Sequence, residues 1–154
     1  MENGREYYVL TAQNGNPIPR VVNWYGKLDV RKLNRKDYRE LPVHILLDME
    51  TGRDVVYPDI LTDPILLVSR EMMQVIKRYD DDMPFLFAAL FDTVREESVV
   101  YFCPILPEGE EAEERGASIY RLRTVRGSEL RIRLDLAESL LCRGAVGIGL
   151  TAIR

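Results

Sequence analysis

The sequence is poor in the residues on which most catalytic centres depend. Its 154 residues include one histidine, two cysteines and one tryptophan. A single histidine, His44, leaves any nucleophilic triad with one candidate base. Its neighbours Val43 and Ile45 place it in a strand, as a hydrogen-bonded core or surface residue. No G-x-S-x-G elbow accompanies it. Cys103 and Cys142 lie in apolar runs without the local signatures of cysteine hydrolases, and are expected to be buried free thiols of a reducing, cytoplasmic protein. No C-x-x-C, no H-x-x-x-H and no calcium-type loop occurs, so no metal site is expected. Gly144, Gly147 and Gly149 follow a helical pattern and enter a strand, whereas a dinucleotide fingerprint runs from strand to helix. Gly147 and Gly149 are read as close packing or a bulge. No cofactor is expected, and the chain is expected not to be an enzyme. Acid–base work by His44 with a carboxylate remains the reading that an aligned pocket would revive.

Long apolar runs are missing as well. No stretch approaches the roughly 18–20 residues of a membrane helix, and Met1 to Glu6 lack the layout of a secretory signal. With 25 acidic and 21 basic side chains the formal net charge is −4, which gives no general attraction to nucleic acid or anionic lipid. Neither a membrane nor a nucleic-acid partner is expected.

What is present fits one folded α+β domain covering residues 1–154. The apolar fraction is 46% and the charged fraction 30%, values of an ordinary globular protein. The expected architecture is a mostly antiparallel or mixed sheet with two short capped helices. Glu6–Ala12 reads as a strand with apolar residues on both faces, followed by a turn at Asn14-Gly15-Asn16-Pro17. Arg20–Tyr25 and Val43–Met49 read as extended, and the basic stretch Lys27–Arg39 as an irregular surface connection. Ser69 is placed to cap a helix whose stripe is Met72, Val75, Ile76 and Tyr79. Phe85–Phe91 and Ser98–Leu106 form a hairpin, as do Ser118–Val125 and Glu129–Leu134. Asp135 and Glu138 suggest a capping box for a second helix with a Leu136, Ala137, Leu140 and Leu141 stripe, stopped by Gly144. Val146–Ile153 closes the chain.

Three charged features stand out. Asp80, Asp81 and Asp82 follow the first helix and read as a solvated terminating loop, since consecutive aspartates diverge too much to share a magnesium ion. Glu108, Glu110, Glu111, Glu113 and Glu114 crowd a segment, 107–116, that reads as a mobile loop. Arg121 and Arg123 share one strand face, opposite Tyr120 and Leu122, and would join Arg126, Arg131 and Arg133 in one basic patch if the hairpin faces coincide. These charges either compensate one another on a solvated surface or steer a protein partner. Without interleaved exposed aromatics the arginines match a single-strand nucleic-acid platform poorly.

Ile65-Leu66-Leu67-Val68-Ser69-Arg70-Glu71 with the helix through Ile76, Val99-Val100-Tyr101-Phe102-Cys103-Pro104-Ile105, and Leu134 through Gly144 together resemble a bacterial domain family of unknown function. That family is grouped with the immunity proteins of polymorphic toxin systems. The resemblance spans most of the chain from about Ile60 onward, includes Tyr7-Tyr8-Val9-Leu10, and transfers no catalytic residue. It implies a cytoplasmic, stoichiometric binder that occludes a toxin; that the two acidic clusters face a basic partner is an expectation from their charge clustering alone. The competing reading is a structural or homo-oligomerising accessory module, paired through strand edges.

Overall fold

The computed structural model describes residues 6–13 and 17–153. The first three residues of the turn expected at Asn14-Gly15-Asn16-Pro17 lie outside them. The chain is an α+β domain with ten strands in two sheets and three α-helices among the described residues. The strands are β1 (Tyr7–Ala12), β2 (Arg20–Val22), β3 (His44–Glu50), β4 (Ile60–Leu61), β5 (Leu67–Val68), β6 (Phe85–Asp92), β7 (Glu97–Pro104), β8 (Ile119–Thr124), β9 (Gly127–Arg133) and β10 (Ile148–Ala152). The helices are α1 (Arg70–Tyr79), α2 (Glu110–Glu114) and α3 (Leu134–Cys142). Sheet A is antiparallel in the order β10-β1-β9-β8, and sheet B runs β2-β3-β6-β7-β5-β4 with β3 and β6 parallel. Two sheets therefore replace the one that the sequence suggested.

Two cores follow from the alternation of side chains along each strand. The first lies between the sheets. Leu10, Ile119, Ile132 and Ile148 of sheet A meet Ile60, Val68 and Phe102 of sheet B, with α1 and α3 wedged between them. Tyr79 of α1 joins the two helices by donating its hydroxyl to the Asp135 carbonyl at 3.1 Å. The second core covers the other face of sheet B, where Leu47, Leu67, Leu90 and Tyr101 pack beneath Leu28 and Leu33. The basic 27–39 segment thus does more than cross the surface: Leu28 and Leu33, on either side of its first 3-10 turn, are buried against the sheet.

Ser69 caps α1 as its position predicts, its hydroxyl accepting from the Met72 amide at 3.2 Å. It also donates to Asp59 at 2.6 Å, and the other oxygen of that carboxylate accepts from the Val146 amide at 2.6 Å. Asp59 therefore pins the start of α1 to the loop entering β10. The second cap differs from expectation. Strand β9 runs straight into α3, because the Arg133 and Leu134 amides are taken by the Ser118 and Glu6 carbonyls. Asp135 consequently falls inside the first turn, where it grips Arg133 at 2.7 Å and the Leu136 amide at 2.9 Å. No capping box forms with Glu138, and Leu141 turns outward. The acidic 107–116 segment contains a helical turn, α2, anchored by buried Ala112.

Asp92 fixes the tight link between β6 and β7. Its buried carboxylate accepts from the Thr51 amide and hydroxyl at 3.0 and 2.5 Å and from the Val94 and Arg95 amides at 3.0 and 3.1 Å. These bonds, led by the Thr51 hydroxyl, hold its pKa below the ordinary carboxylate value. A depressed carboxylate stabilises the fold above its unfolded pKa, and that contribution is lost as pH falls through the folded value. Asp92→Asn should lower the urea midpoint at neutral pH and flatten its decline through the carboxylate range; an unchanged pH profile would contradict this role.

Gly147 shows a second constraint. Its φ is +89°, and an added Cβ would stand 2.6 Å from the Pro58 Cβ. Gly147→Ala should cost about 1–3 kcal/mol in chemical denaturation, whereas Gly144→Ala, which meets no neighbour, should show only the smaller strain of its positive φ.

Candidate functional site

The two acidic clusters occupy the same end of sheet B. Arg35 donates to the Ile105 carbonyl and pairs with Asp80 at 3.7 Å, so Asp80 is held beside the exit of β7. Asp81 and Asp82 next to it are exposed. Three residues beyond Ile105, Glu108 forms a bridge to Arg121 in the backbone and an ion pair with Arg123 at 3.7 Å. In α2, Glu110, Glu111, Glu113 and Glu114 are exposed, yet Glu113 accepts a hydrogen bond from Tyr120 at 3.1 Å and Glu111 approaches Arg115 at 4.0 Å. Part of this acidity is thus already matched within the chain.

The arginines do not form one patch. Opposed residues of an antiparallel pair share a face, and the register sets Arg121 opposite Leu130 and Ile119 opposite Ile132, both on the inner face of sheet A. Arg121 and Arg123 therefore point between the sheets, where they line a cleft. Arg131 stands opposite Tyr120 on the outer face, and Arg133 shares that face with Tyr7. These two are neutralised locally, by Glu129 and by Asp135. The sequence pattern is inverted because Tyr120 is buried on the outer face, packed edge-on against Tyr7 at 5.4 Å. Tyr7 in turn donates its hydroxyl to the Ala117 carbonyl at 2.7 Å. Burial, reinforced by Glu113, pushes the Tyr120 pKa up to about 12.

His44 is exposed, with its ring 5.0 Å from that of Phe87. No group of three or more His, Cys, Asp or Glu residues suited to a metal ion exists among the described residues. Among them, too, no helix is long and apolar enough to cross a membrane.

A surface that the sequence did not single out lies on sheet B. The register aligns His44, Phe87 and Phe102 in one row across β3, β6 and β7; Leu46, Ala89 and Val100 form the next, and Asp48, Phe91 and Ser98 the third. All nine share the face on which α1 sits, since Phe102 belongs to the core beneath that helix. Helix α1 reaches only the β5–β7 side. Beyond it Leu46 is 62% exposed, Phe91 42% and Val100 40%. The boundary is cationic: the Arg70 guanidinium lies 5.2 Å from the Phe102 ring centroid and the Lys77 ammonium 5.7 Å from that of Phe85. On the opposite edge Lys27 pairs with Asp48 at 2.9 Å, tying the turn that presents exposed Tyr25, stacked on Trp24, to the sheet.

No family model matches the chain, and no curated protein matches it closely enough to count as a relative.

The two thiols are unpaired but unlike. Cys103 is buried, which pushes its pKa up to about 12 against the opposing charge of Arg121, while Cys142 is exposed rather than buried as the sequence suggested. Since the thiolate is the reactive form, a disulfide-exchange reagent at neutral pH should titrate one thiol of the native protein, and the Cys142→Ser variant none until denatured. Prompt reaction of both thiols in the native state would contradict this.

Proposed function

We propose that the chain is a non-catalytic protein-binding protein that seats its partner on the open face of β3, β6 and β7. The observation that carries this reading is the exposure of Leu46 and Val100, at the two ends of a row whose middle residue Ala89 is buried, with exposed Phe91 beside it. A folded chain ordinarily hides such a stripe, and an exposed, contiguous apolar patch rimmed by charge is a mark of an interaction surface. The side chains project from paired strands, so they are held in place before binding and little ordering entropy is lost on association. Arg70 and Lys77 along one border suit a partner whose contact surface has apolar anchors and an acidic rim.

The finer reading is a cytoplasmic immunity protein that occludes a cognate bacterial toxin, without cofactor or metal. It is supported by the resemblance described above and by the exposed carboxylates of Asp81, Asp82 and α2, which give a second contact of opposite sign beyond the Pro104 end of the sheet. A toxin domain met by both surfaces would present acidic and basic zones on either side of an apolar centre. Burying the apolar row in a second copy of this chain is the alternative outcome, which makes the protein an assembly module.

The double variant Leu46→Asp/Phe91→Asp decides between these readings. Both side chains are already partly solvated, so the melting temperature should change little. The affinity for a cognate toxin domain should fall about a hundredfold, the effect expected of truncated central anchors. Calorimetric titration measures it. Unchanged affinity would remove the open face from the account. Sedimentation of the unaltered chain across a wide concentration range, with a dimer abolished by the same variant, would replace the toxin partner with a second copy.

A further inference from the structure

The second place of interest is the cleft between the inner face of sheet A and the 62–66 segment, at the end of the inter-sheet space that α1 and α3 do not fill. It encloses about 560 Å³, a volume within the range of small-molecule sites. Leu10, Leu33, Ile65 and Leu66 make its buried apolar floor. Arg31, Arg121 and Arg123 supply its cations.

These three arginines are not equivalent. Arg31 is held by both oxygens of Asp29, at 3.0 and 3.1 Å. Arg123 is paired with Glu108 at 3.7 Å. Arg121 has no ion pair and no side-chain hydrogen bond among the described residues, and its Nε is buried without a partner. The one carboxylate in the wall, Glu129, is engaged by Arg131. Arg121 also occupies an inward position of β8, directly opposite Leu130 and two residues from fully buried Ile119, where the alternation of the strand calls for an apolar side chain. The side chain is only half-buried, but its Nε is out of reach of solvent, and no contact within the chain compensates the desolvation of that N–H. Buried polar groups of native proteins are nearly always satisfied, so a buried donor facing a cleft is suited to an acceptor that enters the cleft.

We propose that this cleft is a binding site for an organic carboxylate carried on an apolar stem, held end-on by Arg121. One unpaired cation matches a single negative charge, which favours a monocarboxylate over a phosphate dianion. The floor matches the stem, and the paired Arg31 and Arg123 at the rim draw anions toward the mouth without competing for them. The site is separate from the open face of sheet B and does not depend on a protein partner being found there. The carboxylate can belong to a free small molecule or to the C-terminus of a peptide ending in an apolar residue.

Titration of the isotopically labelled chain with hexanoate, followed by nuclear magnetic resonance, tests the site. Acetyl-alanyl-leucine with a free or an amidated C-terminus forms the peptide arm, and hexanamide is the neutral control. The expected result is saturable shifts of the Arg121 amide and of the Leu10, Leu33 and Leu66 methyls with hexanoate. Hexanamide should leave them unmoved, and Arg121→Gln should weaken the dissociation constant about tenfold or more. Saturation by the free-acid peptide as well widens the site to chain termini, whereas saturation by hexanoate alone confines it to small molecules; both outcomes support the carboxylate site. Thermal melting shows whether Arg121→Gln remains folded, and Arg121→Lys, which keeps the charge, should retain part of the affinity. Absence of saturable shifts with either acid through the millimolar range, or equal binding of hexanamide, or full affinity in Arg121→Gln, overturns the proposal.

Discussion

The structure turns on two short helices wedged between two sheets. Helices α1 and α3, of 10 and 9 residues, are each only about 15 Å long and about 10 Å across. Six strands spaced at about 4.8 Å make sheet B roughly 24 Å wide. One helix cannot cover that width, and α1 covers the β5–β7 side because Asp59, Ser69 and Tyr79 fix it there. The rest of the same face is bare. Sheet A has the complementary shortfall: α3 fills one end of its inner face beneath Ile132, and the other end, at Arg121 and Arg123, stays open.

Both openings therefore come from one geometric mismatch, yet their chemistry differs. On sheet B the bare positions include the apolar Leu46, Phe91 and Val100 among polar His44 and Ser98, and leaving those three uncovered forgoes burial worth about 25 cal/mol per Å² of apolar surface. On sheet A they are cationic, and the cost there is electrostatic. A chain free of functional demands would reverse the two, with polar residues on the exposed sheet and apolar ones between the sheets. That reversal is the physical basis for reading both places as binding surfaces.

Local signals in the sequence were legible. The Ser69 cap, the α1 stripe of Met72, Val75 and Ile76, both hairpins and the stop at Gly144 follow from interactions between residues close in the chain. The α+β class follows from them. Signals set by distant pairing were not legible. Alternation in β8 shows which residues share a face, but not which face is inner: Tyr120 is fully buried on the outer side, and Arg121 and Arg123 lie on the inner one. Asp135 looks like a cap until β9 is seen to consume the backbone ahead of it. The open face was hidden for a related reason. Leu46, Phe91 and Val100 come from strands with apolar residues on both sides, and only the parallel pairing of β3 with β6 aligns them. The acidic clusters, conspicuous in sequence, are in part tied up by Arg35, Arg123 and Tyr120.

Recognition on the bare face of sheet B would place a bound partner against Leu46 and Val100. Methyl cross-saturation from an unlabelled cognate partner onto this chain measures that contact without altering a residue. Transfer should be strongest at the methyls of Leu46 and Val100, weaker at Val22 on the adjoining edge strand, and absent at Leu140 and Ile132 in the core. Strong transfer to Leu122 and Ala112 with none to Leu46 and Val100 would put the partner on α2 and the outer face of sheet A, and contradict the account.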